Sequence, residues 1–135
     1  MPDSGVVESR ARDAVRDAAR RRPQTVALIA GTTSVTWADL DVRVDRAARR
    51  LRALAGADGA RVALVQGNTI EFAVAWFAIL RAGLVAVPLN PGYTGDELTH
   101  ALSDSGAVAV VAEPALRDRL GSWQGGVVPP ELDLD

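Results

Sequence analysis

A chain of 135 residues, 48% hydrophobic and 24% charged, has the length of one domain and an ordinary globular balance. It has no cysteine and one histidine, His100, which excludes disulfides, thiolate metal sites, a cysteine nucleophile and a histidine-built zinc site. All 15 basic residues are arginine and the net charge is −2; without lysine there is no G-x-x-x-x-G-K-S/T phosphate loop and no Schiff base, and the charge gives no reason to propose nucleic acid.

Residues 5–22 read as a helix, with Val7, Ala11, Ala14 or Val15, and Ala18 at helical spacing and Ser4 as N-cap. Arg20-Arg21-Arg22 complements the helix dipole in the last turn, and Pro23 stops the helix. Acids alternate with the arginines upstream, so this run reads as a solvated helix end rather than a nucleic-acid patch. Met1-Pro2-Asp3-Ser4 opens no apolar export signal. The longest apolar run, Phe72 to Leu80, is nine residues, against about 20 for a bilayer span. Both features imply a cytoplasmic protein without a transmembrane segment.

Thr25 to Ala30 and Ser34 to Trp37 read as two strands of a hairpin around Gly31-Thr32-Thr33. That tip could pass for a phosphate-cradling loop, but strands flank it on both sides where a helix N-terminus is needed. Thr36 opens the next helix, with Asp39 at capping-box spacing. Leu40, Val44, Ala47, Leu51 and Leu54 form its apolar stripe, and Gly56 and Gly59 end it. Its aspartates lie early and its arginines late, as the dipole favours.

A strand–helix rhythm follows. Strands are expected at Arg61 to Gln66, Leu84 to Leu89 and Ala107 to Ala112. Between them lie a helix capped by Asn68 and running to Ala82, and one opened by Thr94-Gly95-Asp96-Glu97 that ends at Ser105-Gly106. Phe72 to Leu80 is apolar all round, so Trp76 or Phe77 should be deeply buried. Pro114 begins a short helix ending near Gly121. The strand starts are evenly spaced, yet the units do not match residue for residue, so a βαβ succession explains them better than a solenoid. The fold class is therefore α/β, a mostly parallel sheet with helices on both faces. Residues 129–135, with Pro129, Pro130 and three acids, read as a flexible acidic tail after a domain portion spanning 1–128.

Reaction chemistry is hard to find in these residues. The turn Gln66-Gly67-Asn68-Thr69 has one glycine where a dinucleotide fingerprint needs three. His100 falls off the inner face of its helix, with Asp96 placed for a local ion pair. Trp37, Trp76, Phe72 and Phe77 read as core rather than as cofactor stackers. Ser103 and Ser105 have no identifiable partner base. The strand ends near Gly67 and Asn90 leave a flavodoxin-like small-ligand site open.

Two stretches carry a resemblance. Ser34-Val35-Thr36-Trp37-Ala38-Asp39-Leu40 resembles the S/T-x-T-Y/W-x-D/E-L segment of AMP-forming acyl-CoA synthetases and other adenylate-forming enzymes. Leu80-Arg81-Ala82-Gly83-Leu84-Val85-Ala86-Val87-Pro88-Leu89-Asn90-Pro91 resembles their L-K/R-A-G-x-x-x-V-P-I/L-D/N-P segment. Tyr93-Thr94, Glu97-Leu98 and Asp104-Ser105-Gly106-Ala107 continue in the same style, so the likeness spans residues 6–120. The resemblance implies the N-terminal part of that family's large domain. The matched residues Thr36, Trp37, Leu40, Ala82, Gly83, Pro88, Asn90 and Pro91 belong to scaffold motifs. The phosphate loop, the adenine- and ribose-binding acids, the hinge and the C-terminal lysine have no counterpart here. By resemblance the parent enzyme joins a carboxylate or fatty acid to ATP with Mg²⁺ and passes the acyl group to coenzyme A. This chain is expected to be silent alone, with no catalytic residue, metal or cofactor of its own. Its expected partner is the remainder of the synthetase or a second copy; the alternative is an autonomous interaction module.

Overall fold

The computed structural model describes residues 13–65 and 67–133. The first helix, α1 (Ala14–Arg21), is capped by Asp13, whose extended backbone and side-chain bond to the Arg16 N–H at 3.0 Å start the helix there. Of the helix expected over residues 5–22, residues 5–12 and the expected cap Ser4 lie outside the described residues, and Asp13 is a cap rather than part of the helix. Arg20, Arg21 and Arg22 are exposed. Strands β1 (Val26–Ala30) and β2 (Thr33–Thr36) pair antiparallel, and Gly31 takes the positive φ of +61° that the tight reversal needs. The Gly31-Thr32-Thr33 segment is thus a hairpin tip.

Helix α2 (Trp37–Ala55) begins where Thr36 Oγ1 accepts the Asp39 N–H at 3.2 Å. Leu40, Val44, Ala47 and Leu51 are 0–1% exposed, but Leu54 is 57% exposed, so the stripe ends a turn earlier than its periodicity. Helix α2 packs against α1 and against α3 (Ile70–Arg81) rather than chiefly on the sheet. Helix α3 lies between them, because its apolar surface continues around the helix and can bury two sides.

The sheet has the order β4–β3–β5–β6, all parallel: β3 Arg61–Val65, β4 Val85–Leu89, β5 Ala109–Val111 and β6 Gly126–Val128. Alternating residues feed two cores. Val62, Leu64, Ala109 and Val111 join α2 and α3 on one face. Ala63 and Val110 join Leu98 and Leu102 of α4 (Gly95–Ser105), Leu116 of the 3₁₀ segment Pro114–Arg119 and its cap Leu120 on the other. This is the doubly covered α/β arrangement that continuous apolar strands require.

Several local expectations are corrected. Thr69, not Asn68, caps α3, its Oγ1 accepting the Phe72 N–H at 3.3 Å. Trp76 and Phe77 are only half-buried, while Val74, Ala75, Ala78 and Ile79 are fully enclosed. Small side chains let α3 approach both α2 and the sheet, which pushes the large aromatics to its flanks. Strand β4 is an edge of the sheet. The Val85 N–H donates to Ala60 O at 2.9 Å, so Pro88 falls on the opposite phase, where its missing N–H faces off the sheet. His100 is exposed, and no ion pair joins it to Asp96. The segment 129–133 packs rather than frays: Leu132 is 2% exposed, and Asp133 Oδ2 meets Arg43 Nε of α2 at 2.6 Å.

Candidate functional site: the crevice at the strand ends

The chain leaves β3 through α3 to β4 on one side, then returns through α4 to β5 on the other. The carboxyl ends of β3 and β5 therefore send their loops in opposite directions and leave a crevice, the usual binding position in an open parallel sheet. A cavity of ≈ 330 Å³ occupies it, walled by Val65, Phe72, Ala112, Leu116 and Ala115, with Glu113 and Arg119 at its rim. A second, of ≈ 230 Å³, lies on the other side of Phe72 against Leu64, Gly67, Asn68, Thr69 and Trp76. Gly67 makes this geometry possible: a Cβ there would stand 2.7 Å from the Phe72 ring.

The polar chemistry beside the crevice is committed to structure. Arg119 donates to Tyr93 O at 2.9 Å, fastening the 3₁₀ segment to the loop before α4. Thr94 caps α4 and receives Glu97 in return: the Thr94 N–H meets Glu97 Oε1 at 2.8 Å. That backbone bond, with the threonine hydroxyl beside it, holds the Glu97 carboxyl below the usual glutamate range. Arg117 donates to the carbonyls of Trp123 and Gly125 and lies over the Trp123 ring. Arg61 donates to Ser105 O at the end of α4, 2.8 Å away. Among the described residues, no group of three or more His, Asp or Glu side chains could hold a metal.

Arg81 lies at the far end of α3. Its side chain is 10% exposed. Nε and one terminal nitrogen hold Asp13 at 2.6 and 3.1 Å, the same nitrogen meets Asp41 Oδ1 at 2.6 Å, and the other donates to Asp41 O at 3.0 Å. Burial alone would push the Asp13 carboxyl up. The hydrogen bonds and charges of Arg81 and Arg16 outweigh it and hold Asp13 below the usual aspartate range. Burial likewise lowers Arg81, and its two aspartates raise it further than burial lowers it.

The matched motif residues do not converge on one point. Thr36 caps α2, Trp37 is half-buried and Leu40 is enclosed. Ala82 closes α3, Gly83 turns out of it with φ +75°, and Arg52 of α2 donates to Ala82 O at 2.8 Å. Arg52 thus ties the far end of the helix that the first motif opens to the second motif. Pro88, Asn90 and Pro91 lie at the other end of β4, where Asn90 Oδ1 accepts the Gly92 N–H at 2.8 Å. Of the two strand ends offered for a small ligand, Gly67 lines the crevice and Asn90 lines neither cavity, while Phe72, Leu116 and Arg119 line it at registers that no local pattern reports.

The AMP-binding enzyme family matches residues 15–131. A long-chain-fatty-acid–CoA ligase of Yersinia pestis is 55% identical over 53 residues, 39% of this chain and 9% of that protein. A salicyl-AMP ligase / salicyl-S-ArCP synthetase of Mycobacterium tuberculosis is 42% identical over 100 residues, 70% of this chain and 18% of that protein. Among solved structures, the O-succinylbenzoate coenzyme A synthetase of Bacillus subtilis in complex with AMP superposes with a TM-score of 0.80 at 26% identity, over 88% of this chain and 32% of that one. The chain thus spans less than a fifth of the length of these two curated relatives. With the doubly covered sheet and both motif segments in place, the chain belongs to the AMP-binding enzyme family.

Proposed function

We propose that this chain supplies part of the large-domain scaffold of an acyl-CoA synthetase-like ligase and is catalytically silent by itself. The parent reaction would activate a carboxylic or fatty acid with ATP and Mg²⁺ to an acyl-adenylate and transfer the acyl group to coenzyme A. Such chemistry needs several donors or cations aimed at the departing pyrophosphate. The observation that carries the proposal is the commitment of the arginines nearest the sheet. Arg61, Arg117 and Arg119 each spend their guanidinium on backbone carbonyls, and Arg81 on Asp13 and Asp41. The apolar crevice then reads as a wall awaiting the rest of an enzyme, and that remainder is the proposed partner.

Calorimetric titration of the purified chain with ATP–Mg²⁺ tests this reading. The expected result is no heat beyond dilution at millimolar nucleotide. Micromolar binding would overturn it and would place a phosphate site at the strand ends near Gly67.

A further inference from the structure

We propose that residues 13–22 form a strap, hinged at residues 22–25 and latched to α2 and α3 by the Asp13–Arg81 ion pair, that opens as a unit apart from the rest of the fold. The strap has little apolar hold. In α1 only Val15 is buried, at 1% exposure. Its two ends are held by different forces. At the hinge end, backbone carbonyls of the strap side accept α2 amides: Trp37 N–H to Thr25 O and Ala38 N–H to Pro23 O, both 3.0 Å. At the latch end the hold is ionic. Arg81 grips both oxygens of Asp13, at 2.6 and 3.1 Å.

A second pair of contacts lies between these ends. Arg16 of the strap reaches Asp41 at 3.1 Å and Asp45 at 3.4 Å on α2. Asp41 is shared, since it also accepts from Arg81. The latch is therefore one connected network, and losing one member leaves another charge with reduced compensation in a partly enclosed place. Asp13 has two duties, because it also caps α1 through the Arg16 N–H. Opening the strap would uncover the seat of Val15 and leave Arg81 with Asp41 alone. Strands β3 and β5 lie in the centre of the sheet and share none of these bonds.

Hydrogen–deuterium exchange on the full chain tests the strap. Asp13→Asn keeps a good capping side chain while removing the charge; Arg81→Met removes the other partner. Each is expected to raise exchange in residues 14–21 roughly tenfold while β3 and β5 stay within about twofold of the parent. The double variant is expected to exchange like either single one, because both act through one latch. If Arg81→Met fails to fold, Asp13→Asn alone decides. Unchanged exchange in residues 14–21, or an equal rise in the strap and the central strands, would overturn the proposal.

Discussion

Arg81 and Asp13 are 68 positions apart in the chain, yet Arg81 Nε meets the carboxylate of α1's cap at 2.6 Å from a side chain that is 10% exposed. The Asp13 carboxyl is held below its ordinary value, so its contribution to stability is fully present above the unfolded value of about 3.9 and is lost as pH falls through the lower folded value. Denaturant midpoints of the parent and Asp13→Asn should therefore differ by a constant amount from pH 7 down to about pH 4.5 and converge below it. A gap that widens in acid would contradict the pairing. Gly95 tests a different residue-scale claim. Its added Cβ would stand 2.6 Å from the Arg119 carbonyl oxygen, a backbone atom that cannot swing aside. Gly95→Ala should cost about 1–3 kcal/mol by urea unfolding. No loss of stability would mean that the 3₁₀ segment is not seated against α4.

Helices show which parts of the fold a local pattern can report. Thr36 and Thr94 cap where the hydroxyl precedes an apolar period, and both were legible. The cap of α3 was not, because Asn68 and Thr69 are adjacent and both are capping residue types, so type alone does not choose between them. Thr69→Ala should thus cost about 1 kcal/mol and Asn68→Ala clearly less. Periodicity also ran past Leu51 to Leu54, since spacing cannot tell where a neighbouring helix stops. Leu51→Ala should cost about 2–5 kcal/mol and Leu54→Ala less than about 0.5, both read from denaturant midpoints. Comparable losses at the two positions would restore the longer stripe. The three strands of the βαβ units were legible from their apolar runs, but their order was not. An edge strand such as β4 and a central one such as β5 look alike in composition, and only Pro88 hinted at the difference.

On the scale of the whole molecule, the sheet ends in two edges, β4 and β6. Pro88 blunts the first, and β6 is short. Apolar side chains remain uncovered around them: Leu54, Leu80 and Val85 are 57%, 51% and 44% exposed. A surface of this kind favours association, and sedimentation at micromolar concentration should show self-association or an only marginally stable monomer. A compact monomer with a cooperative, high-temperature melt would instead favour an autonomous domain. The family was legible from two scaffold motifs, whereas the crevice at the strand ends required the fold. Carboxylate-dependent exchange of pyrophosphate into ATP by the purified chain tests the central claim most directly. With Arg61, Arg117 and Arg119 spent on carbonyls and Arg81 on two aspartates, the chain should give exchange no greater than a protein-free blank; exchange that rises with added carboxylate would show a catalytic centre within these residues.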